Sequence, residues 1–400
     1  MESRNLWVLL VGLVVVMVGY GIAMPVLPFF IEAMGGRGIH FGALIASYGI
    51  AQLLFAPLWG SLSDCYGRRP FLLLGLVGLG SAMLLFSWAT HLWMLYAAQV
   101  LSGVLSSAML PAAQAYAADR TGEEERAAAM GRIGGAIGLG IILGPGLGGM
   151  LATASLVTPF RVAAGLAAVT FLLVLLVLPE SLSPEQRLGS ARVREILPDF
   201  SRMRGTLAGP ASLGLVVAFI AIFSQTVFSS VYGLYAIARF DSDPGQIGTL
   251  LTGMAAMYAL AQGLLVGPLT RRLGEHRLIV LAMAGSAVGF GLVLLSTSFA
   301  AIFASMGGLI LCNALLKPSA LALVSRGARA AQGQTMGMAE SGMSLGRILG
   351  PLWGGLAFDI HLTLPFLSGI LVLLSAMVFT LTRDVGLHPR PNVQGASNPR

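Results

Sequence analysis

The sequence predicts an all-α integral membrane protein with twelve transmembrane helices in two pseudo-symmetric halves of six helices each. Three observations lead to this prediction. The 400-residue chain is 56% hydrophobic and only 10% charged, with a mean hydropathy of +0.83, whereas a soluble domain carries roughly 25% charged residues. Apolar segments of membrane-spanning length fill nearly the whole chain. Landmarks of the first half recur in the second half.

The apolar segments follow one another with short connections. The predicted helices 1 to 12 lie at about 6–31, 41–63, 70–89, 92–117, 129–152, 158–179, 209–238, 245–270, 277–297, 299–324, 333–358 and 362–382. No small-residue cleavage site follows the first segment, so it is interpreted as helix 1 rather than as a signal peptide. The predicted units are an N-terminal half at 1–180, a cytoplasmic central loop at 181–208, a C-terminal half at 209–383 and a polar tail at 384–400.

The arginines are distributed asymmetrically among the connections. Most lie at the termini or on the connections that follow even-numbered helices, whereas the opposite connections hold only Arg37, Arg161 and Arg239. Because cytoplasmic loops are enriched in Lys and Arg, we expect both termini and the central loop in the cytoplasm, and the protein in the inner (plasma) membrane. This rule explains the net charge of +7 without a nucleic-acid partner.

The two halves share landmarks at a nearly constant offset of 207 or 206 residues. The pairs are Gly60 with Gly267 (267 − 60 = 207), Gly67 with Gly274, Pro111 with Pro318, and residues 140–149 with 346–355 (346 − 140 = 206). Two six-helix halves related by an axis along the membrane normal are a known transporter architecture. A channel or receptor has no comparable need for this duplication.

The loop after helix 2 carries a cluster of glycines and charges. Its members are Gly60, Asp64, Gly67, Arg68 and Arg69. We expect Arg68 to pair with Asp119 at the end of helix 4, and Asp64 to cap a helix N-terminus, where the dipole is positive. The loop resembles motif A of the major facilitator superfamily. In that family the cluster latches the cytoplasmic side shut when the carrier faces outward. The alternative is a set of solvated loop charges that only set the topology.

Helix 5 carries a second glycine motif, which consists of Gly140, Gly144, Pro145, Gly148 and Gly149. Small residues let membrane helices approach closely, and the proline kinks the helix. The run resembles motif C, which in the superfamily marks drug:proton antiporters. The near-copy at 346–355 also favours the alternative, in which the glycines serve packing alone.

Helix 1 is similar at residues 19–28 to the first helix of bacterial tetracycline and multidrug exporters. With the two motifs, this resemblance runs along nearly the whole chain and implies export driven by a proton gradient. One departure is Gln99 on helix 4, where that group usually has an arginine. A neutral amide cannot tune the pKa of a carboxylate as an arginine would, so proton coupling is expected to depend on other residues.

Few charged residues lie away from the ends of the predicted membrane helices, and three of them are functional candidates. Lys317, the only lysine in the chain, is near the middle of helix 10, and Glu340 and Arg347 are seven residues apart on helix 11. A spacing of seven places both on roughly one helix face, and charges within a membrane are costly and usually functional. We expect Glu340 to carry the proton, with Asp64 as the next choice, and Lys317 to lie in the substrate pocket. The alternatives are that Glu340 lies near the cytoplasmic end and pairs with a loop arginine, and that Lys317 forms a structural ion pair.

The remaining candidates for substrate binding are aromatic, amide and methionine side chains on cavity-facing helices. Such residues make adaptable, largely apolar pockets, although a plain helix–helix seam has the same composition. The set, with Lys317, is Tyr20, Met24, Gln99, Met109, Gln114, Gln225, Phe228, Tyr232, Tyr235, Tyr258 and Asn313.

The leading prediction is therefore a secondary active transporter that exports small molecules, tetracycline- or phenicol-like, by proton antiport. The alternatives are an importer or facilitator of a small metabolite and a membrane sensor that transports nothing. No enzyme site, metal site or nucleotide loop is found, because the five histidines lack metal spacing and no GK[ST] follows a glycine run. The expected partners are a small-molecule substrate, protons and lipid, with no cofactor, and a monomer is expected.

Overall fold

A computed structural model describes residues 2–183, 185, 187, 211–327 and 332–382. These residues form helices joined by short connections, with no strand among them. The predicted central loop, apart from its first few residues, and the polar tail lie outside the described residues. The predicted all-α fold with its series of membrane helices is confirmed.

Twelve helices run back and forth across the bundle in the described chain. The first six are helix 1 (Glu2–Ala23 and Leu27–Ala33), helix 2 (Gly38–Tyr66), helix 3 (Arg69–Ser87), helix 4 (Leu92–Ser106 and Met109–Arg120), helix 5 (Glu123–Ala152) and helix 6 (Thr158–Val177). The other six are helix 7 (Ser212–Phe240), helix 8 (Pro244–Leu260, Ala261–Leu265 and Val266–Leu273), helix 9 (Glu275–Leu295), helix 10 (Phe299–Gly327), helix 11 (Gln332–Ile360) and helix 12 (Leu364–Thr382).

Eleven of these described helices are long and apolar enough to cross a membrane. Helix 11 is also 29 residues long but is more polar, because it carries both Glu340 and Arg347. The observed bounds differ from the predicted ones by a few residues, and most at helix 5, which begins at Glu123 instead of 129. Its first turn is acidic, which suits a helix N-terminus but lowers the hydropathy on which the prediction rested.

Two helices depart from regular α geometry. Helix 1 is interrupted at 24–26, because Pro25 has no N–H to donate to Gly21; the N–H of Met24 donates to that carbonyl instead, at 3.2 Å. Helix 8 widens into a π-helical turn at Ala261–Leu265. Such turns are rare within α-helices and often mark functional sites.

The buried apolar residues form two main clusters. One draws its members from residues 8–178 and the other from residues 213–376, so each set of six helices has its own core. Large apolar side chains point outward from the peripheral helices, as lipid contact requires. Leu176 on helix 6 and Leu295 on helix 9 are 80% and 76% exposed. The domain boundaries given above stay a prediction.

Candidate functional site

The two halves meet along two helix pairs, and the first pair is helix 2 with helix 11. The carboxylate of Asp359 accepts a hydrogen bond from the backbone N–H of Gly38 at 2.7 Å and another from Ile39 at 2.9 Å. A carboxylate at a helix N-terminus satisfies free N–H groups and opposes the positive end of the dipole. The backbones are close here, since a Cβ on Gly38 would lie 2.8 Å from the carbonyl oxygen of Gly355. We call this side of the bundle the Asp359 end.

The second pair is helix 5 with helix 8, which also meet at the Asp359 end. A Cβ built on Gly149 would lie 2.9 Å from the Cα of Gly248, and one on Gly146 would lie 2.8 Å from Oγ1 of Thr252. Only glycine permits this approach of the two backbones. The two helix pairs together seal the bundle at the Asp359 end.

The halves separate toward the opposite side of the bundle, which we call the Arg68 end. On helix 5, four glycines in the direction of that end have no neighbouring atoms within 4 Å of a built Cβ; they are Gly131, Gly134, Gly135 and Gly138. Gly263 on helix 8 is equally open. The space between the halves is therefore closed at the Asp359 end and open at the Arg68 end.

A charged cluster from the second half faces this space. Arg347 donates from Nη2 to Oε1 of Glu340 at 2.8 Å and from Nη1 to the hydroxyl of Ser344 at 3.3 Å. The predicted placement of Glu340 and Arg347 on one face is thus confirmed. Both Glu340 and Arg347 act electrostatically on Lys317 of helix 10. The cluster carries two positive charges and one negative charge.

Two tyrosines of the first half lie across from this cluster. The rings of Tyr20 and Tyr48, from helices 1 and 2, are 5.4 Å apart between centroids. Arg347 acts electrostatically on Tyr20, and a Cβ on Gly49 would lie 3.9 Å from the carbonyl oxygen of Arg347. Both halves therefore contribute polar groups at one level of the space. Tyr48 was not among the predicted residues, because no charged or repeated neighbour singles it out.

A second polar group is formed by helices 7 and 8. Gln262 donates from Nε2 to the hydroxyl of Tyr258 at 3.1 Å, and the side chain of Gln225 also hydrogen-bonds this hydroxyl. Asn313 is buried and donates to the hydroxyl of Ser224 at 3.4 Å. These amides tie helix 7 to helices 8 and 10.

Several predicted pocket residues lie in the cores instead. Phe228 packs edge-on against Phe290, and Tyr235 packs at 4.7 Å against Phe366. Phe228, Tyr232 and Tyr235 are at most 4% exposed and belong to the core of the second half. Their helical spacing showed that they share a face, but the face is the one that packs on helices 9 and 12. Their predicted placement on the pocket is therefore corrected.

Met109 is placed in a core as well. It is 1% exposed, and a Cβ on Gly75 of helix 3 would lie 2.8 Å from its Cβ. The other candidates on the first half differ in exposure. Met24 is half-buried at the break in helix 1, Gln99 is buried, and Gln114 is exposed near the Arg68 end.

The loop after helix 2 forms a compact ion-pair cluster at the Arg68 end. Arg68 donates from Nε to Oδ2 of Asp119 at 3.1 Å and from Nη1 to the hydroxyl of Ser63 at 2.9 Å, and it also pairs with Asp64. The expected pairing with Asp119 is confirmed. Burial opposes the charge of Arg68, but the hydrogen bonds that it donates to Asp64 and Asp119, together with their negative charges, outweigh burial and raise the pKa of Arg68. The guanidinium therefore stays charged.

The carboxylate that caps helix 3 is Glu180, not Asp64 as expected from the sequence. Glu180 accepts hydrogen bonds from the backbone N–H groups of Arg68 at 2.8 Å and Arg69 at 3.1 Å. Asp64 lies in the last turn of helix 2, where the dipole is negative. Gly67 has a φ of +102°, and a Cβ there would meet the carboxylate of Glu180. The glycine thus makes room for the cap.

A model of the Major Facilitator Superfamily matches the chain twice, at residues 9–215 and 214–398. The chain belongs to the major facilitator superfamily. It is thus a multi-pass membrane protein of a family of transporters, as its helices and their arrangement also indicate.

Relatives within the superfamily cover most of this chain. It is 31% identical over 393 residues to Multidrug resistance protein 2 of Bacillus subtilis (strain 168), and the aligned region covers 95% of each chain. It is 35% identical over 338 residues to the class D tetracycline resistance protein of Salmonella ordonez, and the aligned region covers 84% of each chain. Among solved structures, the nucleoside transporter NupG gives a TM-score of 0.79 at 14% identity over 94% of this chain and 99% of that chain. The human organic anion transporter MFSD10 gives a TM-score of 0.66 at 23% identity, over 95% of this chain and 99% of that chain.

The glycine motif of helix 5 serves both helix 1 and helix 8. Gly140, Gly144 and Gly148 face helix 1, where a Cβ on Gly144 would lie 2.8 Å from the Cα of Gly21. Gly149 faces helix 8, and Pro145 lies within the helix without breaking it. The motif thus packs helix 5 within its own half and at the seam between the halves.

The near-copy on helix 11 packs in the same way. Gly346, Gly350 and Gly354 face helix 7, and Gly355 faces helix 2. This equivalence supports the packing interpretation of the helix 5 motif, and its link with transport direction stays a prediction. Among the described residues, no group of three or more His, Cys, Asp or Glu side chains is arranged to hold a metal ion.

Proposed function

We propose that this member of the superfamily exports small molecules by proton antiport, through alternating access to a site between its two halves. The observation that carries the proposal is the cluster of Glu340, Arg347 and Lys317 in a space that is closed at one end and open at the other. A carboxylate that loses its cationic partner gains affinity for a proton, because a nearby cation lowers its pKa and burial raises it. Rocking of the halves that changes the distance from Glu340 to Arg347 then drives proton uptake and release. Asp64 is the second choice for this role.

The Arg68 end is proposed to face the cytoplasm, together with both termini, and the membrane is the plasma membrane. The connections at this end carry most of the arginines, as positive-inside topology requires. The structure then corresponds to an inward-open state. In the opposite state, the cluster of Arg68, Asp64 and Asp119 is proposed to help hold the cytoplasmic end shut. The working unit is proposed to be a monomer without a cofactor.

The proposed substrates are tetracycline- or phenicol-like compounds. The relatives are named for multidrug and tetracycline resistance, which supports an antibiotic-type substrate. Two cations and one acid in the site disfavour permanently cationic compounds, because like charges in a low-dielectric space repel strongly. Neutral, zwitterionic and anionic compounds are expected to be preferred. Tyr20 and Tyr48 supply aromatic surface and hydroxyl groups near the cluster, and Tyr258 supplies the same groups on helix 8.

The decisive test is transport by purified protein in proteoliposomes under an imposed pH gradient. We expect chloramphenicol or tetracycline to move against its gradient and to stimulate proton release, and Glu340→Gln to abolish the coupling. Lys317→Ala is expected to relax the discrimination against cations while export continues. Coupled export by Glu340→Gln would place the proton carrier elsewhere.

Two outcomes would favour the alternatives. Movement only down the substrate gradient, with no effect of pH, indicates a facilitator or importer. No movement of any compound, with binding retained, indicates a sensor. Good export of ethidium with no export of chloramphenicol would contradict the charge argument from Lys317 and Arg347.

A further inference from the structure

The loop between helices 8 and 9 repeats the geometry of the loop between helices 2 and 3. Gly67 and Gly274 both have positive φ, +102° and +73°. The N–H of Gly67 donates to the carbonyl of Ser63 at 3.1 Å, and that of Gly274 donates to Thr270 at 3.0 Å. Each pair of equivalent residues is separated by 207 positions, so the same turn ends helix 2 and helix 8.

The charges of this repeat are inverted. Arg68 pairs with Asp119 in the first half, and the residues 207 positions later, Glu275 and Arg326, pair at 2.7 Å. In both cases the buried member of the pair is next to the turn, because Arg68 and Glu275 are 7% and 6% exposed. The same offset places Arg271 where the first half has Asp64.

The opposite charges of Asp64 and Arg271 suit the N-termini of helices 11 and 5, which pair with helices 2 and 8. Helix 2 pairs with helix 11, whose first turn holds no acidic residue, so an aspartate near its N-terminus meets the positive end of a dipole. Helix 8 pairs with helix 5. An arginine near the N-terminus of helix 5 would be repelled by the dipole, but this helix begins with three glutamates at positions 123–125. The negative charge of this first turn outweighs the positive end of the dipole, so the N-terminus of helix 5 attracts an arginine.

Glu124 is the glutamate on the appropriate face. It lies seven residues before Gly131, which is itself seven before Gly138, so the three share one helix face. That face borders the open space between the halves. The depths also agree. Gly146 of helix 5 contacts Thr252 of helix 8. Measured from this contact along each helix axis at 1.5 Å per residue, Glu124 lies about 33 Å away and Arg271 about 29 Å away.

We propose that Arg271 and Glu124 form an ion pair in the state that is closed at the Arg68 end, as a charge-inverted counterpart of the latch around Asp64. In the present state Arg271 is exposed and donates from Nε to the carbonyl of Gly267 at 3.4 Å, and Glu124 is exposed. The pair forms when the open ends of helices 5 and 8 approach. The proposal rests on the alternating access proposed above, but it depends neither on the substrate nor on proton coupling.

Distance measurement by pulsed electron paramagnetic resonance tests the pair directly. Spin labels are placed at exposed Ala127→Cys and Pro268→Cys, in full-length protein that carries Cys65→Ser and Cys312→Ser. We expect a long distance from the open state and a shorter one from the closed state. Arg271→Glu is expected to lower the ratio of the short-distance population to the long-distance population by about fivefold. The substitution removes a partly exposed ion pair and adds repulsion between two glutamates. Adding Glu124→Arg restores the ratio. Arg271→Gln gives a smaller decrease, and it replaces Arg271→Glu if that variant does not fold.

Matched controls lie one position away on each helix. Arg272→Glu and Glu125→Arg change the same charges but are turned by 100° around their helices, and they are expected to leave the ratio within about twofold. The proposal is overturned if Arg271→Glu leaves the ratio unchanged, if the double charge reversal does not restore it, or if only the long distance is found. If the variants change the two distance populations as expected but the protein transports no compound, the ion pair is supported and the proposed function is rejected.

Discussion

Asp359 of helix 11 and Gly38 of helix 2 are 321 positions apart in the chain, yet the carboxylate of one caps the helix that begins with the other. The contact is polar, charge-assisted and made between the two halves. It contrasts with the seam between helices 5 and 8 at the same end, where glycine backbones approach each other.

Asp359→Ala is predicted to shift the protein away from the state that is closed at the Asp359 end. The two carboxylate oxygens that accept from the backbone N–H groups of Gly38 and Ile39 are lost. Hydrogen bonds to a charged group are worth more than ordinary ones, so a shift of about tenfold in the population ratio is expected. Spin labels at Glu32→Cys and His361→Cys report the opening. The matched control is Asp243→Ala, which removes a cap that accepts from Gln246 at 2.9 Å within helix 8. An equal shift in the control would mean that helix capping, not the link between halves, is responsible.

Gly149→Ala is predicted to prevent tight closure of the seam between helices 5 and 8. The added Cβ would lie 2.9 Å from the Cα of Gly248, and backbone cannot yield as a flexible side chain would. Transport is expected to fall by at least about tenfold, because overpacking costs about 1–3 kcal/mol. Gly165→Ala is the control, since its Cβ meets no atom within 4 Å. Normal transport in Gly149→Ala would show that the seam opens readily.

Asp64→Asn is predicted to abolish transport while folded protein remains in the membrane. Its side chain is 39% exposed, so the substitution costs little stability, whereas the proposed latch loses its negative charge. The amount of protein in membranes and its elution as a single species are measured alongside transport. Full activity would leave the cluster around Arg68 with a role in topology only.

Glu180→Ala is predicted to destabilise the folded protein. The carboxylate accepts the backbone N–H groups of Arg68 and Arg69, and removal of a helix cap costs about 0.5–2 kcal/mol. The thermal unfolding temperature in detergent should therefore fall by a few degrees. Glu125→Ala, on an exposed turn of helix 5, serves as the comparison. An unchanged unfolding temperature would indicate that solvent replaces the cap.

Ser190→Cys is predicted to react with membrane-impermeant thiol reagents only from the inner side of the membrane. The arginine asymmetry places the central connection in the cytoplasm. The background carries Cys65→Ser and Cys312→Ser, and inside-out vesicles provide the positive control. Reaction in intact cells would reverse the proposed orientation of the whole bundle.

Hydropathy alone predicts the helices of this protein well, because a bilayer requires a long apolar run for each crossing. It fails where a helix extends beyond the membrane, as at Glu123–Arg126. The ion pair of Arg68 with Asp119 was also predicted, as was the placement of Glu340 and Arg347 on one helix face. In each case opposite charges were placed close together by helix periodicity or at adjoining helix ends.

The contacts that the sequence does not reveal join distant positions without any repeat. Glu180 and Asp359 are single carboxylates near helix ends, and only the packing of helices 6 and 11 shows that each caps another helix. The aromatic stripe of Phe228, Tyr232 and Tyr235 failed for a different reason. Periodicity identifies a shared face, but two faces of helix 7 are apolar enough to bury, and only the structure shows which one meets the core.

The cap made by Glu180 also changes how the link between the halves works mechanically. Because Glu180 and Ser181 are fastened to the helix 2–3 loop and to Asp119, tension on the linker is borne by that loop and not by the end of helix 6. The 28 positions from Ser183 to Ala211 (211 − 183) can span about 90 Å when extended, far more than any rocking motion needs. Chains severed between Ser183 and Ala211 should therefore still assemble into a working transporter, because the Glu180 cap holds the end of the first half in place without the linker.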